Sequence, residues 1–302
     1  MGFTRRDLLK WAAVGTVSAA AGSAMAEDDE FVANCDDNYG VLVDTVVCIG
    51  CRKCEWACNN EHKLKNADLE SFEDKSVFEH HRRPTDDAYT VVNRFWAPEQ
   101  NDKAYTIKVQ CMHCNYPACV SACIVGALSK SNIGPVDYDA WKCIGCRYCM
   151  VACPFQVPAY EYQEALKPRV RKCTFCKERL TEGRRPACVS ICPNEALTFG
   201  TRDELIEVAR ERIRSHPGKY VDHIFGENEI GGTSWLYLAA TDFTNTELPT
   251  LDSENIPHRT ERIQHGIFKS FIPPIALYGL LGLIMQSKPD NEEKEEEDVS
   301  AS

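Results

Sequence analysis

The sequence predicts an α+β fold in which two related, cysteine-rich lobes built from an internal repeat precede a C-terminal apolar (transmembrane) helix. Three observations carry this expectation. CIGCRKCEWAC (48–58) returns as CIGCRYCMVAC (143–153) with eight of eleven letters unchanged. ACVSACIVGALS (118–129) returns as ACVSICPNEALT (187–198), keeping both cysteines, the Val-Ser between them and the Ala-Leu that follows. IFKSFIPPIALYGLLGLIM (267–285) is apolar apart from Lys269 and Ser270.

The first element is an export signal over residues 1–26. TRRDLLK precedes an apolar stretch that closes on the small-x-small triplet Ala24-Met25-Ala26, so cleavage is expected after Ala26. Arg5 and Arg6 resemble the twin-arginine motif, with Leu8 where Phe is frequent. An ordinary Sec signal and a retained anchor are the alternatives. The twin-arginine route carries folded proteins, which suits a cofactor inserted before export. Of the 17 cysteines, Cys35 stands alone behind the cleavage point and reads as a free or incidental thiol.

The other sixteen cysteines fall into four sets within residues 35–240, the region of the paired lobes. Set one is Cys48, Cys51, Cys54 and Cys58. Set two is Cys111, Cys114, Cys119 and Cys123. Set three is Cys143, Cys146, Cys149 and Cys153, followed by Pro154. Set four is Cys173, Cys176, Cys188 and Cys192, followed by Pro193. Thiolates at every third residue curl the loop so that three sulfurs face one centre. Zinc prefers two CxxC pairs held apart, and three cysteines in one seven-residue run would crowd a single tetrahedral ion. Disulfides would need a distant, well-placed partner for each sulfur. CxxCxxCxxxCP is the bacterial ferredoxin signature for [4Fe-4S] clusters, in which the fourth cysteine ligates the other cluster. The lobes are therefore expected to be ferredoxin-like, and the chain to hold four [4Fe-4S] clusters. Spacing alone does not choose which sets exchange their fourth cysteine.

Between the ligands, Gly50 and Gly145 permit positive φ and close approach of backbone amides to sulfur. Ile49 and Ile144 are expected to shield the cages. Arg52, Lys53, Lys142, Arg147, Arg171 and Lys172 are candidates to offset their negative charge, or else ordinary surface cations. His113, inside CMHC, is read as structural, because Rieske ligation needs two histidines. No CxxCH, GxGxxG or GxxxxGK[ST] occurs, and no catalytic residue is assigned. With every iron matched to a cysteine there is no open coordination position, so the chemistry expected is electron transfer and not substrate turnover. A formal net charge of −11 argues against a nucleic-acid partner.

AYTVVNRFW (88–96) and AYTIKVQ (104–110) predict a hairpin. TRDELIEVARERIR (201–214) predicts a helix with a Thr cap, early acids and late bases, ended by Pro217-Gly218. GGTSWLYLA (231–239) predicts a strand. Residues 241–265 read as a linker, and 266–286 as a membrane helix. Nineteen apolar-rich residues at 1.5 Å each reach about 28 Å, near the hydrocarbon thickness of about 30 Å. A surface or partner-docking helix is the alternative. Residues 287–302 read as a disordered acidic tail. His265 reads as a plain interfacial histidine.

The four sets, the export signal and the terminal apolar run together resemble the iron-sulfur subunits of the dimethyl-sulfoxide-reductase and formate-dehydrogenase class. CMHC (111–114), GCRYCMVACPF (145–155), FGTRDEL (199–205) and ERIQHGIFK (261–269) carry a closer resemblance, to the HybA-type subunit of membrane-bound nickel-iron hydrogenases. The resemblance implies that set one pairs with set four and set two with set three. The implied ligand groups are Cys48, Cys51, Cys54 with Cys192; Cys173, Cys176, Cys188 with Cys58; Cys111, Cys114, Cys119 with Cys153; and Cys143, Cys146, Cys149 with Cys123. It also implies two partners: a periplasmic catalytic redox subunit, and an integral membrane subunit of the NrfD or HybB kind that reacts with quinone. The chain would then sit on the periplasmic side of the inner membrane, anchored by its C-terminal helix.

Overall fold

The computed structural model describes residues 38–98, 103–258, 263 and 275–284. The chain up to Ile256 forms one compact unit, and Pro257 onward a second. In chain order the first unit contains β1 (Tyr39–Asp44), α1 (Lys53–Glu61), β2 (Thr90–Ala97), β3 (Lys103–Gln110), α2 (Ala118–Ser121), β4 (Leu128–Lys130) and β5 (Val136–Tyr138). It continues with α3 (Tyr148–Ala152), β6 (Ala159–Tyr160), β7 (Val170–Arg171), α4 (Lys177–Thr181), α5 (Ala187–Ser190), β8 (Leu197–Thr201), α6 (Arg202–Ser215) and β9 (Trp235–Leu238).

Strand β1, YGVLVD, is buried along its whole length and therefore takes a central position. It pairs antiparallel with β8 and parallel with β9, with Val41 opposite both Phe199 and Trp235. Alternate residues of the sheet face two different cores. Leu42, Leu236 and Leu238 pack under Leu205, Ile206 and Ala209 of α6. Val41, Val43, Trp235 and Tyr237 face the larger core, which takes in Cys58, Cys111, Cys173 and Cys188. The sulfur-rich loops are thus laid on one face of a rigid sheet while α6 covers the other.

Helix α6 starts where the sequence signals it. Thr201 and Glu204 form a reciprocal capping box, an arrangement in which the cap contributes about 1 kcal/mol. The predicted hairpin is β2–β3, with Thr90 opposite Gln110 and Ala97 opposite Lys103. Two smaller hairpins, β4–β5 and β6–β7, occupy the middle of the chain. Short helices follow the cysteines, and they pack across the repeat: α1 against α5, and α2 against α3. The outer sets of the chain, one and four, therefore lie together, and the inner sets, two and three, lie together.

Two expectations are corrected. Among the described residues no helix is long and apolar enough to cross a membrane. Within the run read as a transmembrane helix, residues 275–284 are described and helical. The described fold is mixed α/β with small sheets, and with no spanning helix among the described residues the anchored localisation expected on that basis is not supported. Apolar composition alone does not set helix length. In addition, residues read as the start of a linker at 241 supply Phe243 and Leu248 to the larger core. The export signal, Cys35, His265 and the acidic tail lie outside the described residues.

Candidate metal centres

Each cysteine run turns where its backbone leaves the right-handed region. Gly50 and Arg52, with φ of 64° and 62°, flank Cys51; Gly145 and Arg147, at 71° and 63°, flank Cys146. The sequence repeat is thus also a repeat of backbone angles. A Cβ added at Gly50 would stand 2.7 Å from Thr106 Cγ2, and one at Gly145 2.8 Å from the Tyr160 hydroxyl. The turns bring amides onto sulfur. Gly145 N–H donates to Cys143 Sγ at 3.4 Å, Phe175 N–H to Cys173 Sγ at 3.3 Å, and Ala127 N–H to Cys123 Sγ at 3.2 Å.

The sulfurs gather into groups that draw on two sets each. Cys48 feels the thiolates of Cys192 and Cys51, and Cys54 that of Cys48. Cys58 feels Cys173, Cys176 and Cys188. Cys114 feels Cys111, Cys153 and Cys119, while Cys149 feels Cys143, Cys123 and Cys146. In every group three sulfurs come from one set and the fourth from its partner set. A cavity lined by Cys48, Cys51, Cys54 and Cys192 marks the first group. The packing of α1 on α5 and of α2 on α3 is what carries each fourth sulfur across.

Further couplings join the groups in a line. Cys54 of the first feels Cys188 of the second, Cys173 of the second feels Cys111 of the third, and Cys119 of the third feels Cys149 of the fourth. Burial and then mutual repulsion push these thiols up. Cys149 rises to about 11 and Cys119 to about 12, while Cys54, Cys58 and Cys114 rise well above the ordinary thiol value. Without a cation such groups stay protonated at neutral pH. All sixteen are free thiols, and no disulfide competes for them.

The cations expected to offset the cages take different places. Arg52 is buried but bound to Glu55 at 3.1 Å, and Arg171 is bound to Glu161 and to the Tyr89 hydroxyl. Arg147 lies over the Tyr160 and Tyr162 rings. Lys142 pairs with Asp139 at the surface, and Lys53 is half-buried. Lys172 alone of the six is a buried cation beside sulfur. Its Nζ donates to the Val136 and Cys173 carbonyls and its charge acts on Cys119. Sequence reasoning missed Lys108 and Lys130. Lys108 is buried and acts on Cys54, Cys58, Cys173 and Cys188; Lys130 donates to the His113 carbonyl and acts on Cys114. Nothing local marked Lys108, which alternates with Thr106 and Gln110 on the polar side of its strand and is buried only in the tertiary structure.

His113 is fully buried. Val136 N–H donates to its Nδ1 at 2.8 Å, which joins set two to β5, and Nε2 lies near the Cys173 carbonyl without reaching hydrogen-bond geometry. Burial and the neighbouring lysines hold its pKa well below the usual imidazole value, so the ring is neutral. His62, by contrast, stands 3.8 Å from Cys176 Sγ and 3.3 Å from the Thr174 hydroxyl. Ile49 and Ile144, expected as shields, are 57% and 62% exposed.

Grouped cysteines on glycine-turned loops, with no acid–base or nucleophilic constellation assigned beside them, define an iron-sulfur protein of electron transfer. The comparisons agree. The family described as 4Fe-4S dicluster domain matches residues 103–202. A protein of Nitratidesulfovibrio vulgaris is 49% identical over 84% of this chain and 68% of its own length. The hydrogenase-2 operon protein HybA of Escherichia coli O157:H7 is 35% identical over 95% of this chain and 96% of its own. The iron-sulfur subunit of the nitrate-inducible formate dehydrogenase of Escherichia coli K12 is 35% identical over 65% of this chain and 66% of its own. The chain belongs to the HybA family of iron-sulfur subunits, and it is an electron-transfer subunit of a respiratory oxidoreductase complex.

Proposed function

We propose that the four groups are the ligand sets of four [4Fe-4S] clusters: Cys48, Cys51, Cys54 and Cys192; Cys58, Cys173, Cys176 and Cys188; Cys111, Cys114, Cys119 and Cys153; Cys123, Cys143, Cys146 and Cys149. The observation that carries this reading is that each set of three sulfurs is approached by the fourth sulfur of its partner set. Bound clusters of this kind take up and release single electrons with little rearrangement. The chain supplies the rest: buried thiolates, amides that donate to sulfur, and a linear order of first, second, third and fourth group.

Cys146 is the exposed cysteine of the sixteen, and Trp141, Ile144, Tyr148 and Val151 around it are exposed apolar side chains. This supports the fourth group as one end of the relay, where an electron crosses to another subunit. The partners proposed are a nickel-iron hydrogenase catalytic subunit at one end and a quinone-reactive membrane subunit of the NrfD or HybB kind at the other. The name of the HybA relative supports the first.

Two measurements test this. Anaerobic purification should give brown protein with iron and acid-labile sulfide for four clusters per chain; Cys58→Ser should remove one cluster, that of the set-four triad, and leave the set-one triad intact. Two clusters, or loss from the set-one triad instead, would overturn the ligand assignment. Metal analysis of the intact complex should find nickel in the catalytic subunit. Molybdenum or multiple haems there would replace the hydrogenase assignment.

A further inference from the structure

Lys108 lies on β3 and is only 2% exposed. Its Nζ donates to Gln110 Oε1 at 2.9 Å and stands 4.4 Å from the centre of the Trp235 ring. Gln110 in turn is held by the Tyr237 hydroxyl at 2.6 Å, and that hydroxyl donates to the Lys108 carbonyl at 2.8 Å. Among the described residues no carboxylate pairs with Lys108. A buried ammonium left with a neutral amide and an indole face is costly, and it persists where an anion compensates it.

With clusters bound, the compensating anions would be the cages of two groups at once. Lys108 lines the cavity bounded by Cys48, Cys51, Cys54 and Cys192. The Trp235 ring it faces packs against Phe175 at 5.7 Å between ring centres, and Phe175 N–H donates to Cys173 Sγ of the second group at 3.3 Å, with Cys58, Cys173 and Cys188 within electrostatic reach of the ammonium. Other cations near sulfur act on single groups: Lys172 on Cys119 and Lys130 on Cys114 of the third group, while Arg52, which lines the first cavity, shares the Glu55 carboxylate with Arg82.

We propose that Lys108 is a shared counter-charge for the first and second groups, raising the reduction potential of both together. The proposal rests on the four-cluster reading above. When either cage gains one electron from its neighbour in the relay, negative charge increases beside a fixed cation in a dry site, where the interaction is strong. No bond breaks and no proton moves. Two cages raised by one charge stay close in potential to each other, which keeps exchange between them near balance.

The test is a redox titration of the full chain with its clusters, followed by paramagnetic resonance, for wild type, Lys108→Met, Lys108→Gln, Lys108→Arg and Lys103→Gln. Lys103 is an exposed cation on the same strand and controls for the change in net charge. In the neutral variants two of four midpoints should fall by on the order of tenfold in reduction equilibrium, about 59 mV for a one-electron couple. Lys108→Arg and Lys103→Gln should leave all four in place. Midpoints unmoved in both neutral variants, or all four shifted alike, would overturn the proposal. If the neutral variants assemble without the first and second clusters while Lys108→Arg keeps all four, the charge is what those cages need, in support of it. If Lys108→Arg loses them too, side-chain shape is what matters, and the proposal fails. Wild type with fewer than four clusters by iron and sulfide analysis would instead refute the underlying reading, independently of any variant.

Discussion

The Asp44 carboxylate receives Arg212 Nη1 at 3.2 Å and the Tyr220 hydroxyl at 2.8 Å on Oδ2, while Oδ1 accepts the N–H groups of Val46 and Val47. Asp44 is 1% exposed and ends β1, and its carbonyl accepts the Cys48 N–H at 3.1 Å. One side chain therefore ties helix α6 to the turn that launches the first cysteine set. Asp44→Ala should lower stability by about 3–5 kcal/mol, since it strands a partly buried guanidinium and two turn amides. Asp44→Asn, which keeps an oxygen for the turn, should cost less. Guanidinium unfolding under argon reads both, and equal midpoints for the two variants would refute this division of roles.

Gly50 sits at φ 64° with Thr106 Cγ2 2.7 Å from any added Cβ, whereas Gly126 sits at φ 62° with open space around it. Gly50→Ala should cost backbone strain plus a clash, roughly 1–3 kcal/mol for the strain alone, and should lower occupancy of the first cluster. Gly126→Ala should show the strain without the clash. Iron content and thermal unfolding of the two variants, compared side by side, decide it; the same loss in both would show that contact with Thr106 is immaterial.

Glu247 is bound by Asn93 and by His81, yet burial raises its carboxyl above the ordinary value. Its folded pKa therefore exceeds its unfolded pKa. Between the two, the folded state binds the extra proton, so stability rises as pH falls through the folded value toward about 4.3. Glu247→Gln should remove that slope and bring the variant above wild type at neutral pH. Parallel unfolding curves from pH 4 to 7 test it, and an opposite slope would contradict the direction.

Removal of iron should unfold part of the protein. Cys58, Cys111, Cys173 and Cys188 belong to the main hydrophobic core, so stripping the metal removes the bonds that tie these loops together and leaves unligated thiols inside it. Chelation with oxidant should abolish amide protection around the four sets while β1, β8 and β9 under α6 keep theirs, because Leu42, Leu236 and Leu238 face away from the sulfurs. Hydrogen exchange with and without metal reads this. Uniform loss across the sheet would show that the metal holds the whole fold.

Much of this was legible in the chain. The hairpin, the capped helix α6 and the β9 strand are local patterns, and residues a few positions apart decide them. The glycine turns inside the cysteine runs were legible for the same reason. Three features were not. Lys108 looks like any strand cation until β3 is laid under Trp235. Arg52 and Arg171 look like cations free to face a cage until Glu55 and Glu161 are found beside them. The apolar run near the C-terminus has the composition of a membrane span, but among the described residues no helix is long and apolar enough to cross a membrane.

The sequence by itself determined the chemistry: sixteen sulfurs at spacings that turn three at a time onto one centre, made twice over. Only the tertiary structure decided which distant sulfur approaches each triad, in what order the groups stand and which cation is buried among them. Spacing is governed by the few backbone angles between neighbouring cysteines. Pairing is governed by helices α1 and α5, more than a hundred residues apart, finding each other against the buried strand β1.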